Sequence, residues 1–168
     1  MNIERLCMIE IRNAIELDFE AIWLIFHPIV SAGETYSYDP DTTRAQAHAI
    51  WMSGNASSYV ACVADEVVGT YTLRPNQPGQ GSHVANVGYM VKAGQEGQGI
   101  GRAMCEHSLA EARNAGYLAM QFNLVVSTNE AAIALWKKMG FAIVGTLPKA
   151  FRHPRLGLVD AFVMHRFL

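Results

Sequence analysis

The sequence predicts an α/β protein: a single mixed, mostly antiparallel sheet of about seven strands with helices on both faces. Three observations carry that expectation. Runs with strand and helix periodicity follow one another as strand, two helices, three strands, helix, strand, helix, two strands. Short turns join the early strands, which makes them antiparallel neighbours. The unit from Ser82 to Val126 is instead strand, helix, strand, and such a connection joins parallel strands by a right-handed crossover.

Cys7 to Arg12 is the first predicted strand. Glu16 to Val30 reads as an amphipathic helix, because Phe19, Ile22, Trp23 and Phe26 recur at helical spacing. A polar loop with tyrosines, Ser31 to Pro40, leads to a second helix, Thr42 to Met52, started by Asp41 or Thr42. Tyr59 to Ala64 and Val67 to Leu73 form a hairpin turning at Asp65-Glu66. Arg74-Pro75-Asn76-Gln77-Pro78-Gly79-Gln80-Gly81 is the strongest loop signal in the chain. Ser82 to Val91 is the next strand, followed by a glycine loop and a helix from Arg102 to Ala115. Leu118 to Val126 is a strand rich in β-branched residues. Asn129 to Met139 is a helix stopped at Gly140. Ile143 to Leu147 and Val159 to Phe167 are the last strands.

At 168 residues the chain is expected to be one domain, residues 1–168, with room for a sizeable core. A net charge of −2 gives no general pull toward nucleic acid or an anionic membrane. No apolar run reaches about 18 residues, so no transmembrane helix is expected. Met1-Asn2-Ile3-Glu4-Arg5 lacks the basic-then-apolar layout of a signal peptide, and a cytoplasmic protein is expected. Cys7, Cys62 and Cys105 lack metal-ligand spacing and read as reduced thiols filling the core. The histidines form no His-x-x-x-His pair, and no metal site is expected.

The chemistry is most legible at Gly97-Gln98-Gly99-Ile100-Gly101, between a strand and a helix. Alternating glycines leave backbone N–H groups bare, and the positive end of the helix dipole adds to them, which makes an anion cradle. A P-loop would need Gly-Lys-Ser/Thr, and Gly101 is followed by Arg102-Ala103. A dinucleotide fingerprint would put its third glycine at Met104 and an acidic residue near Val126, and neither is present.

Val91 to Ala103 resembles the acetyl-CoA pyrophosphate loop of the GNAT N-acyltransferase superfamily, whose pattern is Arg or Gln, two residues, Gly, any residue, Gly or Ala. Gly99 and Gly101 match its last two fixed positions. Glu96 falls at the Arg or Gln position and cannot donate to phosphate; Gln95 or Gln98 can substitute, and Arg102 adds a positive charge. Asn129 to Phe141 resembles the helix that follows the splayed strand in that superfamily. There the pattern is Asn, two residues, Ala, two residues, Leu-Tyr, a basic turn and Gly-Phe. The resemblance implies an acyl-CoA N-acyltransferase fold and acetyl-CoA as co-substrate. It implies a cofactor site of Tyr89, Met90, Val91, Glu96, Gly97, Gln98, Gly99, Ile100, Gly101, Arg102, Asn129, Ala132 and Trp136. Trp136 takes the place of a tyrosine that often protonates the departing CoA thiolate. An indole N–H cannot serve as a general acid, so Trp136 is left to bond the sulfur or pack the pantetheine arm.

Asn86, Asn123 and Asn129, with Leu158-Val159-Asp160-Ala161, resemble the spacing of fungal acetyltransferases that act on azetidine-2-carboxylate and other proline analogues. That resemblance implies that Asn86 and Asn123 line the pocket of a small amine or amino acid. Glu34, Tyr36 and Tyr38 lie where the superfamily places its acceptor lid. Lys149, Arg152, His153 and Arg155 form a basic cluster that could bind an acceptor carboxylate, meet a partner subunit or face solvent. The implied reaction is direct attack of a neutral amine on the thioester. A backbone N–H near Tyr89 to Val91 would polarise the carbonyl, and water relayed through Asn86 or His83 would remove the proton. An acyl-CoA-binding regulatory module and an enzyme acting on protein amines remain open alternatives. Phe162, Met164 and Phe167 form an alternating apolar set that is expected to support a homodimer.

Overall fold

The computed structural model describes residues 8–168. Seven strands form one sheet in the order β1-β2-β3-β4-β5-β7-β6. They are β1 (Glu10–Asn13), β2 (Ser57–Val63), β3 (Glu66–Pro75), β4 (Val84–Val91), β5 (Ala119–Val126), β6 (Ala142–His153) and β7 (Gly157–Phe167). The helices are α1 (Phe19–Ala32), α2 (Arg44–Met52), α3 (Ile100–Asn114) and α4 (Glu130–Lys138). The β4–β5 pair is parallel and every other pair is antiparallel, as the order of elements requires.

Local chemistry sets the boundaries. A 3-10 turn, Glu16–Asp18, precedes α1 because the buried Asp18 carboxylate turns back to accept from Ile15 N–H at 2.8 Å and from Arg12 at 2.7 and 2.8 Å. The expected start of α2 at Asp41 or Thr42 is corrected to Thr43. Thr43 Oγ1 accepts from Gln46 N–H at 3.3 Å, and Gln46 Oε1 accepts from Thr43 N–H at 2.8 Å, which is a reciprocal capping box. The β2–β3 turn falls one residue earlier than expected, at Ala64-Asp65, whose φ values of +48° and +66° give the twist a two-residue hairpin needs.

The largest departure is the final hairpin. Its first strand runs to His153 rather than ending at Leu147, and its second begins at Gly157 rather than Val159. Pro148, which has no N–H to give a ladder, follows Leu147 directly, yet the ladder resumes beyond a bulge between Leu147 and Phe151. Lys149 sits in that bulge at φ +52°, its N–H bonded to Asp160 Oδ1 at 2.8 Å. The first predicted strand began at Cys7, which lies outside the described residues.

Helices cover both faces of the sheet, each over its own core. On one face, Met104, Cys105 and Leu109 of α3 pack on Tyr71, Met120 and Phe122. On the other, Ile22 and Phe26 of α1 and Trp51 of α2 pack on Val60 and Met90. Trp51 Nε1 donates to Thr70 Oγ1 at 2.9 Å, which satisfies the one polar group of that buried ring. Cys62 and Cys105 are free and buried, and burial pushes the Cys105 thiol up to about 11.

Candidate active site

The site is made by a failure of pairing. The strands β4 and β5 are bonded only from Val84 to Asn86, opposite Ala119 to Gln121, and then diverge. Beyond that rung the side of β4 that faces β5 carries unpaired backbone. Val84 C=O and Lys92 N–H point to the β3 side, where they bond Asn76 N–H and Val68 C=O, whereas His83 C=O points to the β5 side and accepts from Leu118 N–H. Val87 N–H closes the last rung, on Gln121 C=O, and the alternation along a regular strand therefore turns the peptide groups of Tyr89 and Val91 into the gap. One of them is already used, since Tyr36 Oη donates to Tyr89 C=O at 2.6 Å. Burial holds the Tyr36 phenol well above its ordinary value, so it stays protonated and donates.

One cleft of about 870 Å³ runs through this gap and touches both faces of the sheet. Its α3/α4 end is the predicted cradle. Gly97 and Gly99 have φ of +77° and +83°, a conformation that residues with a Cβ avoid. At Gly101 a Cβ would only touch Leu135 Cδ2, at 3.4 Å. The helix α3 starts with Gly99 as its N-cap, so its first N–H groups have no partner within the helix.

Glu96, the departure from the superfamily pattern, turns its carboxylate onto its own loop and accepts from Gly94 N–H at 2.8 Å. Arg102 pairs with Glu106 at 2.8 Å. Gln95 lines the cleft, and of the cofactor residues expected from the sequence Gln98 alone is not among its lining residues. Asn129 caps α4 by accepting from Ala132 N–H at 3.3 Å. The Trp136 ring is buried 4.9 Å from both Tyr89 and Phe122 and forms a wall of the cleft. The Tyr89 hydroxyl points away from it to Ser108 Oγ at 2.7 Å.

The α1/α2 end of the cleft holds Tyr36 and Tyr38, stacked at 5.7 Å, with Thr72, Arg74, Asn86 and Asn123. Asn86 Nδ2 donates to Gln121 C=O at 3.0 Å, where the parallel ladder stops. Asn123 accepts from Gln121 Nε2 at 2.9 Å and donates to Asn76 Oδ1 at 2.7 Å. Both predicted asparagines are thus in the cleft, held by groups the sequence did not single out.

Two other expectations are corrected, and the open reading of the basic cluster is narrowed. His83 bonds Gln80 C=O at 3.1 Å and lies outside the cleft, so it has no place in a proton relay. Glu34 pairs with Arg155 at 2.7 Å, which ties the lid loop to the β6–β7 turn instead of facing the acceptor. In the basic cluster, buried His153 accepts from Arg155 and Leu156 N–H at 3.2 and 3.3 Å, and none of its members lines the cleft. The cation at the acceptor end is Arg74, which the sequence reading treated as part of a loop. Its position on the same face of β3 as Thr70 and Thr72 was the available signal.

The residues present suit acetyl-CoA. Bare N–H groups at a helix start fit a pyrophosphate, open space stands where Gly97 and Gly99 would carry side chains, and the cleft continues from there to the gap. Residues 16–141 match the profile of the Acetyltransferase (GNAT) family.

The chain belongs to the GNAT acetyltransferase family.

This GNAT chain is similar to the N-acetyltransferase aca1 of Schizosaccharomyces pombe, at 29% identity over 80% of this chain and 72% of that protein. It is 30% identical to the L-amino acid N-acetyltransferase AaaT of Escherichia coli over 94% of this chain and 97% of that one. A solved GCN5-related N-acetyltransferase from Kribbella flavida superposes with a TM-score of 0.91, at 45% identity, over 95% of this chain and 98% of that one. The protein is an acetyl-CoA-dependent N-acetyltransferase, and acetyl-CoA is its acetyl donor. Among the described residues no helix is long and apolar enough to cross a membrane, and no group of three His, Cys, Asp or Glu is placed to hold a metal.

Proposed function

We propose that the protein, working as a single domain, acetylates the amine of a small molecule, an amino acid or amino-acid analogue. The observation that carries this reading is the single cleft through the sheet, with an anion cradle at one end and a polar pocket enclosed by Tyr36 and Tyr38 at the other. The name of AaaT, an L-amino acid N-acetyltransferase, supports the amino-acid class, and that of aca1 supports N-acetyl transfer.

In this reading the N–H groups of Gly97 to Arg102 hold the pyrophosphate, while Ala132 and Trp136 line the path to the gap. Acetyl-CoA, when bound, supplies an acetyl thioester. A peptide N–H of β4 that faces the gap, at Tyr89 or Val91, donates to the carbonyl oxygen that becomes negative, which is worth about 3 kcal/mol. Tyr36 holds the backbone at that point through its bond to Tyr89 C=O. The acceptor end carries no carboxylate, so loss of the amine proton is favoured by desolvation, which lowers an ammonium pKa. Asn86 and Asn123 orient the acceptor with their remaining amide valences.

The free, buried thiols Cys62 and Cys105 suit a reducing compartment, and the cytoplasm is the proposed location. A homodimer is proposed as well, on a patch that keeps only Phe167 of the residues the sequence suggested. Phe162 and Met164 pack into the core, whereas Val144, Leu156, Leu158 and Phe167 are exposed on the β6–β7 hairpin at the edge of the sheet.

The test of the function is release of free CoA from acetyl-CoA across a panel of small amines and amino acids. Saturable release with at least one member, and its N-acetyl product by mass spectrometry, is expected. Release with protein substrates alone would overturn the small-molecule reading.

A further inference from the structure

We propose that Arg74 and Thr72 form an anion subsite that selects acceptors bearing a carboxylate close to the amine, a reading that rests on the proposed small-amine acetyltransferase. Four observations converge on it. Thr72 and Arg74 lie two residues apart on β3 and so share the face that carries Thr70 onto Trp51. Their partners across the ladder are Gly88 and Asn86. All four line the acceptor end of the cleft.

Arg74 has no ion pair and no side-chain hydrogen bond to another group among the described residues. The other arginines at the edges of the site are engaged: Arg102 with Glu106 at 2.8 Å and Arg155 with Glu34 at 2.7 Å. Glu96, Arg102 and Lys138 line the cleft near the cradle, which leaves Arg74, among the described residues, as the only charged side chain at the acceptor end.

Thr72 supplies the independent sign of a ligand. It is 3% exposed, and its Oγ1 is the one buried side-chain oxygen or nitrogen among the described residues without a hydrogen-bond partner. A buried hydroxyl without a partner is costly, and a carboxylate oxygen would satisfy it. The small residue opposite matters too. A Cβ at Gly88 would stand 3.3 Å from Tyr36 Oη, so glycine there lets the lid tyrosine close over the pocket.

The spacing sets the kind of acceptor. Thr72 lies opposite Gly88, one residue and about 3.3 Å of strand from Tyr89, whose peptide group faces the gap; Arg74 lies two residues further along, with a long side chain. A carboxylate held by this pair lies within reach of an amine in the gap for an α- or β-amino acid. A positive subsite without an acidic partner repels a second ammonium, so diamines and polyamines are disfavoured.

The experiment compares matched pairs, an amino acid with the amine that lacks its carboxylate: proline with pyrrolidine, and leucine with isopentylamine. Wild-type kcat/KM is expected to favour the acid of the better pair by about 30-fold or more, the scale of a charge-paired contact. Arg74→Gln should collapse that ratio toward one, and Arg74→Lys should restore part of it. Thr72→Val should raise KM for the acid by about tenfold without lowering Tm, because no protein contact is lost. A wild type that prefers the amine, or a ratio that Arg74→Gln leaves intact, overturns the proposal.

If no member of the panel is acetylated, the small-amine reading falls by itself. The subsite is then judged by calorimetric titration of N-acetylproline into the CoA-loaded protein. Binding lost in Arg74→Gln upholds the subsite, and binding that is absent or unaltered overturns it.

Discussion

Gly99 offers the sharpest test of the cradle, because shape and charge can be separated there. Its φ is +83°, and a Cβ at this position would meet nothing within 4 Å. Gly99→Ala therefore meets no clash and costs only the left-handed conformation, about 1–2 kcal/mol. Gly99→Asp carries the same conformational cost plus repulsion from a pyrophosphate. One unit charge about 4 Å away is worth about 1 kcal/mol in water and about 4 kcal/mol at an effective dielectric of about 20. The loop is exposed, so the lower part of that range applies. The expected loss of acetyl-CoA affinity is about fivefold to thirtyfold for the alanine variant and about thirtyfold to thousandfold for the aspartate variant. The difference between them should shrink as salt is raised. In the free protein the charge of Gly99→Asp offsets part of its conformational cost, since an acidic residue at a helix start favours the helix, so Tm should fall less in Gly99→Asp than in Gly99→Ala. Isothermal titration at two ionic strengths, with thermal unfolding alongside, measures each part. Wild-type affinity in Gly99→Asp would refute the cradle. Equal, salt-independent losses in both variants would refute the charge argument and leave only loop geometry.

Asn123→Ala should lower turnover of the best acceptor by about tenfold to thousandfold while acetyl-CoA affinity barely changes, and kinetics with a separate titration will show whether both halves hold. Loss of acetyl-CoA binding in step with turnover would mean that the Asn76–Asn123–Gln121 chain supports the fold rather than the acceptor. Burial raises the pKa of Tyr36, Tyr71 and Tyr89 above their unfolded value, which favours their neutral form in the folded state. Their contribution to stability is therefore complete below about pH 10 and is lost as pH rises beyond it. Denaturation midpoints should fall above about pH 10, with a shallower slope in Tyr36→Phe; an identical slope would contradict the burial of that phenol. Light scattering should give twice the chain mass of 18.5 kDa, and Val144→Glu with Leu158→Glu should halve it. A wild-type monomer at micromolar concentration would reject the dimer.

The sequence was most informative where periodicity and backbone chemistry act locally. The β4–α3–β5 unit could be read because a glycine-punctuated strand-to-helix junction has few uses. The resemblance around Asn129 to Phe141 then fixed which use. Boundaries depended on details that periodicity does not carry. Thr43 rather than Thr42 caps α2 because only Thr43 has Gln46 three residues on. The long final hairpin was hidden because a bulge at Lys149 lets the ladder continue past Pro148, where a linear reading stops. In the site, residues that act through backbone position were found and those that act through cross-strand placement were missed. Arg74 and Thr72 declare themselves only once β3 is paired with β4, which sets Arg74 beside Asn86 and Thr72 beside Gly88. Glu34 and His153 were singled out by charge and titratability, yet each is used to hold a loop together.

The short parallel seam between β4 and β5 divides what the main chain specifies from what can be retuned. The ladder fixes where the sheet forks. Past Gln121 no backbone rung spans the fork, so its width is held by side chains: the Asn86 amide at the crotch, Tyr36 over the β4 carbonyl and Trp136 wedged against Tyr89. Aperture is thus a property of three replaceable struts. Single substitutions at Asn86, Tyr36 or Trp136 can widen or narrow the passage while the seven-stranded scaffold keeps its register. In hydrogen exchange, the amides of Tyr89 and Val91 should exchange faster than those of Gly88 and Met90 in the same strand, a tooth-comb pattern that records which edge of β4 is open.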